Sequence, residues 1–115
     1  MYFIDVQGTL ISDDDKSPIR GSREFIQKLN TLKIPYIIIT NSTKKSSEEF
    51  FSFLKKSGFD IDFSSYLDPL MVLERSVAKD GVAAYGSGEF LELLQTMGYE
   101  LDYTAPKSVL ISIKE

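Results

Sequence analysis

The feature that most constrains the fold is the run Tyr-Ile-Ile-Ile-Thr at residues 36–40. The run is rich in β-branched residues and apolar at every position before the threonine, so both faces of the strand it predicts need cover. Strands of this kind occupy the middle of parallel sheets with helices on both faces. A second apolar run, at residues 2–6, predicts another short, fully buried strand. The sequence therefore predicts an α/β fold built on a parallel sheet.

Helical patterns alternate with these strands. Apolar residues recur at helical spacing after Ser22, which we expect to cap a helix, and after Ser46, which opens a capping-box pattern. Further helices are predicted to begin at Asp68-Pro69 and after the tight glycine turn at 86–88. Two more strands are predicted, at residues 82–85 and 108–113, and residues 58–62 and 98–102 are interpreted as helix exits onto short strands.

The domain organisation follows from this order of elements. The chain has 115 residues, enough for one ordinary domain and few for two. Residues 1–66 form a self-consistent βαβα unit, and segment 64–69 has some linker character. We therefore divide the chain into a core portion at 1–66 and a cap-like α/β portion at 67–115, with one compact α/β domain as the alternative.

Composition excludes several classes of function. The net charge of −4 argues against a nucleic-acid or anionic-membrane partner, because both require a clustered positive field. The chain contains no Cys and no His, so catalysis has to use carboxylates, hydroxyls, lysines, backbone amides and a hard metal ion. No basic leader or membrane-spanning apolar stretch is present, and a cytoplasmic protein is expected.

Polar residues follow both leading strands at the point where each one ends. Asp5 lies at the end of the first apolar run, and Thr40 and Asn41 end the second. Because the carboxyl ends of adjacent parallel strands lie side by side, Asp5 and Thr40 are expected to face one crevice. A carboxylate there is a candidate nucleophile towards phosphorus, and a hydroxyl donates to a phosphoryl oxygen without adding charge.

Neighbouring residues complete a candidate phosphate site. Gly8 lets the backbone approach a ligand, and its amide, with that of Gln7 or Thr9, is a candidate donor to a phosphate oxygen. Lys45, beside Lys44, precedes a capped helix and is a candidate positive charge.

Magnesium suits such an all-oxygen site and usually keeps several of its waters. Its protein ligands would be the Asp5 side chain and the backbone carbonyl of Val6 or Gln7. Taken alone, each residue also has a simpler interpretation. Asp5 caps a turn, Thr40 is the last β-branched residue of a strand, and Lys45 is a solvated lysine.

Two segments together resemble motifs of a known superfamily. Residues 5–10, Asp-Val-Gln-Gly-Thr-Leu, and residues 37–42, Ile-Ile-Ile-Thr-Asn-Ser, are similar to motifs one and two of the haloacid dehalogenase superfamily. The Thr-Asn-Ser ending resembles the nitrophenylphosphatase-like (class IIA) subfamily, and residues 82–86 and 108–111 resemble the layout of its cap domain. The resemblance implies a Rossmann-like three-layer parallel sheet, partial here, with part of an α/β cap.

The resemblance also implies an activity and a set of roles. It implies a Mg²⁺-dependent phosphatase of small phosphate esters that works through an aspartyl-phosphate. Asp5 would be the nucleophile and a metal ligand, and the backbone carbonyl of Gln7 would also bind Mg²⁺. Thr40 would bind the phosphoryl group, with Asn41 beside it.

The chain departs from the superfamily pattern in two places. Gln7 stands where most of these phosphatases carry a second Asp, and the later motifs, a Lys and an acidic pair, are not found after position 60. We therefore expect either a fragment of a longer protein or a natural truncation, with impaired hydrolysis.

Two other functions stay open. One is a catalytically inactive relative that binds a phosphorylated ligand or a protein partner, and the other is a flavodoxin-like module that shares only topology. An incomplete sheet would expose an edge, so a homo-oligomer is also expected.

Overall fold

A computed structural model describes residues 1–112 of the chain. Its strands are β1 (Tyr2–Asp5), β2 (Tyr36–Ile39), β3 (Tyr66–Leu67), β4 (Val82–Tyr85) and β5 (Ser108–Ile111). Its helices are α1 (Ser22–Thr31), α2 (Ser47–Lys56), α3 (Pro69–Ser76) and α4 (Gly88–Thr96), with a short 3-10 helix at Phe63–Ser65. All strand pairs are parallel, which confirms the predicted α/β class.

The described chain divides into two compact units. The first consists of Met1–Asn41 and Glu48–Asp68, and the second of Ser42–Ser47 and the chain from Pro69 onward. The cap-like character of 67–115 stays a prediction, and positions 113–115 of that range lie outside the described residues. No described helix combines the length and apolar composition needed to cross a membrane.

The sheet of the first unit has the order β1-β2-β3, with β2 in the centre as predicted. Asp5 lies opposite Ile39, and Ile39 lies opposite Leu67 on the other side. The three strands therefore end at one edge of the sheet. Helix α1 contributes its apolar stripe to the core of this unit, where Ile26 is fully buried.

The prediction that the first strand is fully buried is wrong. Only Ile4 of β1 is buried, whereas the side chains of Tyr2 and Phe3 are 51% and 69% exposed. The reason is the position of the strand: within the described residues β1 pairs with β2 alone and forms an edge of the sheet.

Two further local predictions are wrong. Residues 58–62 form no strand, because Phe59 and Ile61 pack into the core without a ladder, and the next strand is β3. Residues 98–102 contribute only an isolated bridge between Leu101 and Val82.

Helix starts follow the sequence signals with one exception. Helix α2 begins directly after Ser46, and α3 begins at Pro69, as predicted. Ser22 is the first residue of α1 and does not cap it: Gly21 precedes the helix with a left-handed φ of 88°, and the Ser22 hydroxyl donates to the carbonyl of Leu10 at 2.9 Å. The Ser22 hydroxyl therefore connects α1 to the loop after β1 by a hydrogen bond.

The second unit is built on the pair β4 and β5. Strand β4 lies at the predicted residues, and β5 ends at Ile111 within the described range, whereas predicted strand residue Ile113 lies outside it. The Ser87 hydroxyl caps α4 by accepting from the Phe90 amide at 3.2 Å. The core of this unit consists of Leu70, Val82, Ala84, Phe90, Leu94 and Tyr99.

Gly88, the first residue of α4, and Gly98, which follows the helix, provide a matched stability test. Gly98 has a left-handed φ of 94°, and a methyl group added there would meet only the distal atoms of Lys79, whereas Gly88 has open space and no positive φ. We expect Gly98→Ala to lower the free energy of unfolding by about 1–2 kcal/mol, the cost of a left-handed non-glycine residue. Gly88→Ala should leave it unchanged or raise it by up to about 1 kcal/mol. Urea unfolding checks both, and equal effects would contradict the conformational explanation.

Candidate functional site

The loop after β1 is a tight turn built around one carbonyl. The carbonyl oxygen of Val6 accepts from the amides of Thr9, Leu10 and Ile11 at 3.2, 2.8 and 3.1 Å. Asp5 precedes this turn with an exposed side chain, and its Oδ1 accepts from the Val6 amide at 2.9 Å. The turn therefore holds the Asp5 carboxylate at the rim of the sheet edge.

The predicted backbone donors take part in this turn. The Gly8 amide donates to the carbonyl of Ile11 at 2.8 Å, and the Thr9 amide donates to Val6. Gly8 has a φ of 77°, a left-handed conformation that favours glycine. A phosphate oxygen would have to compete with these bonds for either amide, so phosphate binding at Gly8 and Thr9 stays a prediction.

Gln7 and Thr40 are joined directly. The Thr40 hydroxyl donates to Oε1 of Gln7 at 3.0 Å, and Thr40 is 1% exposed. Thr40 follows the last residue of β2, and Gln7 lies two residues after the end of β1. This bond links the two predicted motifs, and Gln7 and Thr40 lie at the same end of the sheet as Asp5.

The remaining predicted residues are placed differently. Asn41 follows Thr40 and is exposed, at the end of the first unit. Lys45 is exposed in segment Ser42–Ser47, which belongs to the second unit. Their predicted roles in phosphate binding stay predictions.

A buried carboxylate that the sequence analysis does not predict lies at the same sheet edge. Asp68 follows the end of β3, is 2% exposed, and accepts from the Tyr66 hydroxyl at 2.8 Å. Burial, and next the hydrogen bond to Asp68, raise the pKa of Tyr66 far above its usual value, so the phenol remains a donor. The pair Asp68-Pro69 indicated only a helix start, and a two-residue strand has no periodicity to detect.

A second carboxylate lies near the loop. Asp13 sits at the tip of a hairpin formed by residues 10–19, in which the Ser12 amide donates to the Ser17 carbonyl and the Ile19 amide to the Leu10 carbonyl. One oxygen of Asp13 lies 3.4 Å from the position that a Cβ on Gly8 would take. The acidic tract 13–15 therefore includes one side chain that folds back onto the candidate loop.

The oxygen donors here fit a weakly held hard cation. The carbonyl oxygen of Val6 already accepts three amide hydrogen bonds. The Gln7 carbonyl is therefore the better of the two predicted backbone ligands for a cation. Together with the exposed Asp5 carboxylate this provides two oxygen donors, which suits Mg²⁺ with most of its waters retained. Within residues 1–112 there is no group of three or more acidic, His or Cys side chains that could hold a metal.

Two exposed carboxyl groups away from the candidate site have perturbed pKa values. Lys107 lowers the pKa of Asp80 through an exposed hydrogen bond, and Ser17 lowers the pKa of Asp15. An apolar cavity of about 130 Å³ lies in the second unit, lined in part by Leu70, Phe90 and Leu110. None of the predicted site residues lines this cavity.

A family comparison matches most of the chain. The family model for haloacid dehalogenase-like hydrolases matches residues 2–100. An acid sugar phosphatase from Staphylococcus haemolyticus is 37% identical over 59 residues, which cover 51% of this chain and 22% of that protein.

Two solved structures share the fold. The 4-nitrophenylphosphatase from Thermotoga maritima has a TM-score of 0.69 at 18% identity, covering 96% of this chain and 43% of that one. A glycerol phosphate phosphatase from Mycobacterium tuberculosis, solved in complex with magnesium, has a TM-score of 0.63 at 17% identity, covering 98% and 35%. The matches thus span less than half of the length of each of these proteins.

The bond between Thr40 and Gln7 can be measured by a double-mutant cycle. Thr40→Val removes the hydroxyl at nearly constant shape, and Gln7→Leu removes the acceptor. We expect a coupling free energy of about 0.5–1.5 kcal/mol from urea unfolding of the two single variants and the double variant. Additive effects would show that the bond does not contribute to stability.

Proposed function

Because this chain belongs to the haloacid dehalogenase-like hydrolases, we propose that it acts on small phosphate esters by phosphoryl transfer to Asp5. The proposal is supported by the names of the relatives, which are phosphatases of sugar phosphates, nitrophenyl phosphate and glycerol phosphate. The activity and substrate range remain those of longer proteins, since this chain spans less than half of them.

The observation that carries the proposal is the Thr40–Gln7 hydrogen bond at the end of the sheet where Asp5 lies. A nucleophile and a polar holding pair are both needed for phosphoryl transfer, because most of the catalysis is positioning and charge stabilisation. The parallel register of β1 and β2 puts both at one edge. This register supports the proposed site.

Each side chain has a defined task in this proposal. The exposed Asp5 carboxylate attacks the phosphorus atom. On binding, the Thr40 hydroxyl exchanges its hydrogen bond to Gln7 Oε1 for one to a phosphoryl oxygen, and an N–H group of Gln7 donates to the same phosphoryl group. Asp5 and the Gln7 carbonyl would hold Mg²⁺, which would screen the repulsion between the carboxylate and the phosphate. The exposure of Asp5 leaves it accessible to a substrate from solvent.

Gln7 limits the rate in this proposal. A carboxyl group at position 7 would protonate the leaving group and then deprotonate water, whereas an amide does neither near neutral pH. The loss of one positioned acid or base lowers a rate by about 10²–10⁴-fold. The chain is therefore proposed to be a slow phosphatase.

A second candidate function is binding of a phosphorylated ligand without turnover. It is favoured by the amide of Gln7, which does not exchange protons near neutral pH and is held by the Thr40 hydroxyl. A small phosphorylated molecule is the proposed partner in both cases, and a protein partner belongs only to the second candidate.

The proposal extends to the partners and the location of the protein. We propose no nucleic-acid or membrane partner, on the strength of the net negative charge, and a cytoplasmic location. The exposed side chains of Tyr2 and Phe3 on the open strand β1 support the proposal of self-association.

Gln7→Asp should raise the rate of nitrophenyl phosphate hydrolysis by about 10²–10⁴-fold, because it restores a group that exchanges protons. Release of nitrophenol with and without Mg²⁺ measures this. Asp5→Asn is the control, since it keeps the shape of residue 5 and removes the nucleophile. An unchanged rate in Gln7→Asp would contradict the proton-transfer role, and hydrolysis by Asp5→Asn would contradict the nucleophile.

The binding function makes a separate prediction for thermal unfolding. A phosphate ester at 100 times its Kd should stabilise the folded chain by about 2.7 kcal/mol through mass action. The corresponding rise in Tm should vanish in Asp5→Ala if the site includes that carboxylate with its bound cation. Calorimetric titration of Mg²⁺ with a phosphate analogue present checks the cation, and absence of heat would remove it from the site.

A further inference from the structure

We propose that the apolar cavity of the second unit is a binding site for a small, uncharged aromatic alcohol, of which phenol is the simplest. The described residues that line this cavity all belong to the second unit, whereas Asp5, Gln7 and Thr40 belong to the first. The inference is therefore independent of the proposed function.

The size and walls of the cavity fit one aromatic ring. Leu70 and Phe90 line it and are buried in the core of the second unit, whereas Ile111, also a lining residue, is largely exposed. The cavity thus extends from the core to the surface, where a ligand can enter. An apolar cavity of about 150 Å³ lined by Leu, Ile and Phe binds benzene. The volume of about 130 Å³ found here limits the ligand to about one six-membered ring.

The polar part of the wall is a pair of hydroxyl groups. Thr43 and Ser112 line the cavity, and Thr43 Oγ1 and Ser112 Oγ lie 2.9 Å apart in a hydrogen bond that either can donate. Whichever hydroxyl donates, the other keeps its own proton for a further acceptor, and the donor oxygen keeps its lone pairs. The pair can therefore both donate to and accept from a hydroxyl group on a ligand.

The same lining argues against a charged ligand. Among the described residues that line the cavity, none is acidic or basic, so an ion would lose hydration without gaining an opposite charge. A purely apolar molecule would leave the hydroxyl pair unused. An uncharged ring that carries one hydroxyl group matches both parts of the wall.

Methyl NMR of the full chain, titrated separately with phenol and with toluene, tests the inference. The two probes have nearly the same shape, and only phenol carries a hydroxyl group. We expect saturable shifts of the methyl resonances of the lining residues Leu70, Leu73 and Leu110. The methyl groups of Ile26 and Leu54, which are buried in the first unit, should not shift.

The double variant Thr43→Val/Ser112→Ala removes both hydroxyl groups with little change in shape. It should weaken phenol binding about 2–10-fold, the equivalent of one hydrogen bond, and leave toluene binding unchanged. Leu73→Phe enlarges a lining side chain and should abolish binding of both probes. Leu93→Phe is the matched control, because Leu93 is half-buried against the same core and is not among the described lining residues.

The outcomes distinguish the cavity from its ligand class. Absence of saturable shifts with both probes, or shifts centred on the first unit, would overturn the inference. Equal weakening of phenol and toluene in the double variant would overturn recognition of the hydroxyl group. Equal affinities in Leu73→Phe and Leu93→Phe would overturn the cavity as the site. If Leu73→Phe does not fold, toluene binding by the double variant still reports an intact cavity, and its loss of phenol affinity still decides the ligand class.

Discussion

The parallel pairing of β1 with β2 is the constraint on which the candidate site depends. Parallel strands share a direction, so their carboxyl ends meet at one edge of the sheet. Residues that are 35 positions apart in the chain, Asp5 and Thr40, come to this edge because Asp5 lies opposite Ile39 in the ladder. Without this register no short-range interaction would bring them together, because the connection between them contains a hairpin and a helix.

The turn after β1 converts this register into local geometry. One carbonyl, that of Val6, accepts three amides, and this compact arrangement brings Gln7 within hydrogen-bond distance of Thr40. The same compact turn leaves few backbone donors for a ligand, because the Gly8 and Thr9 amides donate to carbonyl groups within the loop. The proposed function therefore relies on side chains and a cation to hold an anion, in contrast to loops whose backbone amides are directed to a phosphate.

Position 7 is where the proposed function departs from an efficient phosphatase. An amide and a carboxyl group have nearly the same shape, and either can accept from the Thr40 hydroxyl. They differ in proton exchange, which is the property that hydrolysis of an aspartyl-phosphate requires. In the proposed function, the rate of hydrolysis therefore depends on this one functional group.

The amino-acid sequence by itself determined the α/β class, the central position of β2, the start of α3 at Pro69 and the extent of β4. These features depend on local patterns: continuous β-branched runs, helical spacing and proline at a first helical position. It also singled out Asp5, Gln7 and Thr40, because polar residues that end apolar runs stand out in one dimension.

Only the tertiary structure decided what these patterns face. It made β1 an edge, because strand order is a property of pairing and not of composition, and so exposed Phe3. It formed β3 from only two residues, which is too short a segment for a strand pattern to appear in the sequence. It also buried Asp68 in a hydrogen bond with Tyr66. It also turned the Gln7 amide towards Thr40 and the Gly8 amide into the loop. Hydrogen bonds between distant residues follow from packing in three dimensions, and a linear pattern does not contain them.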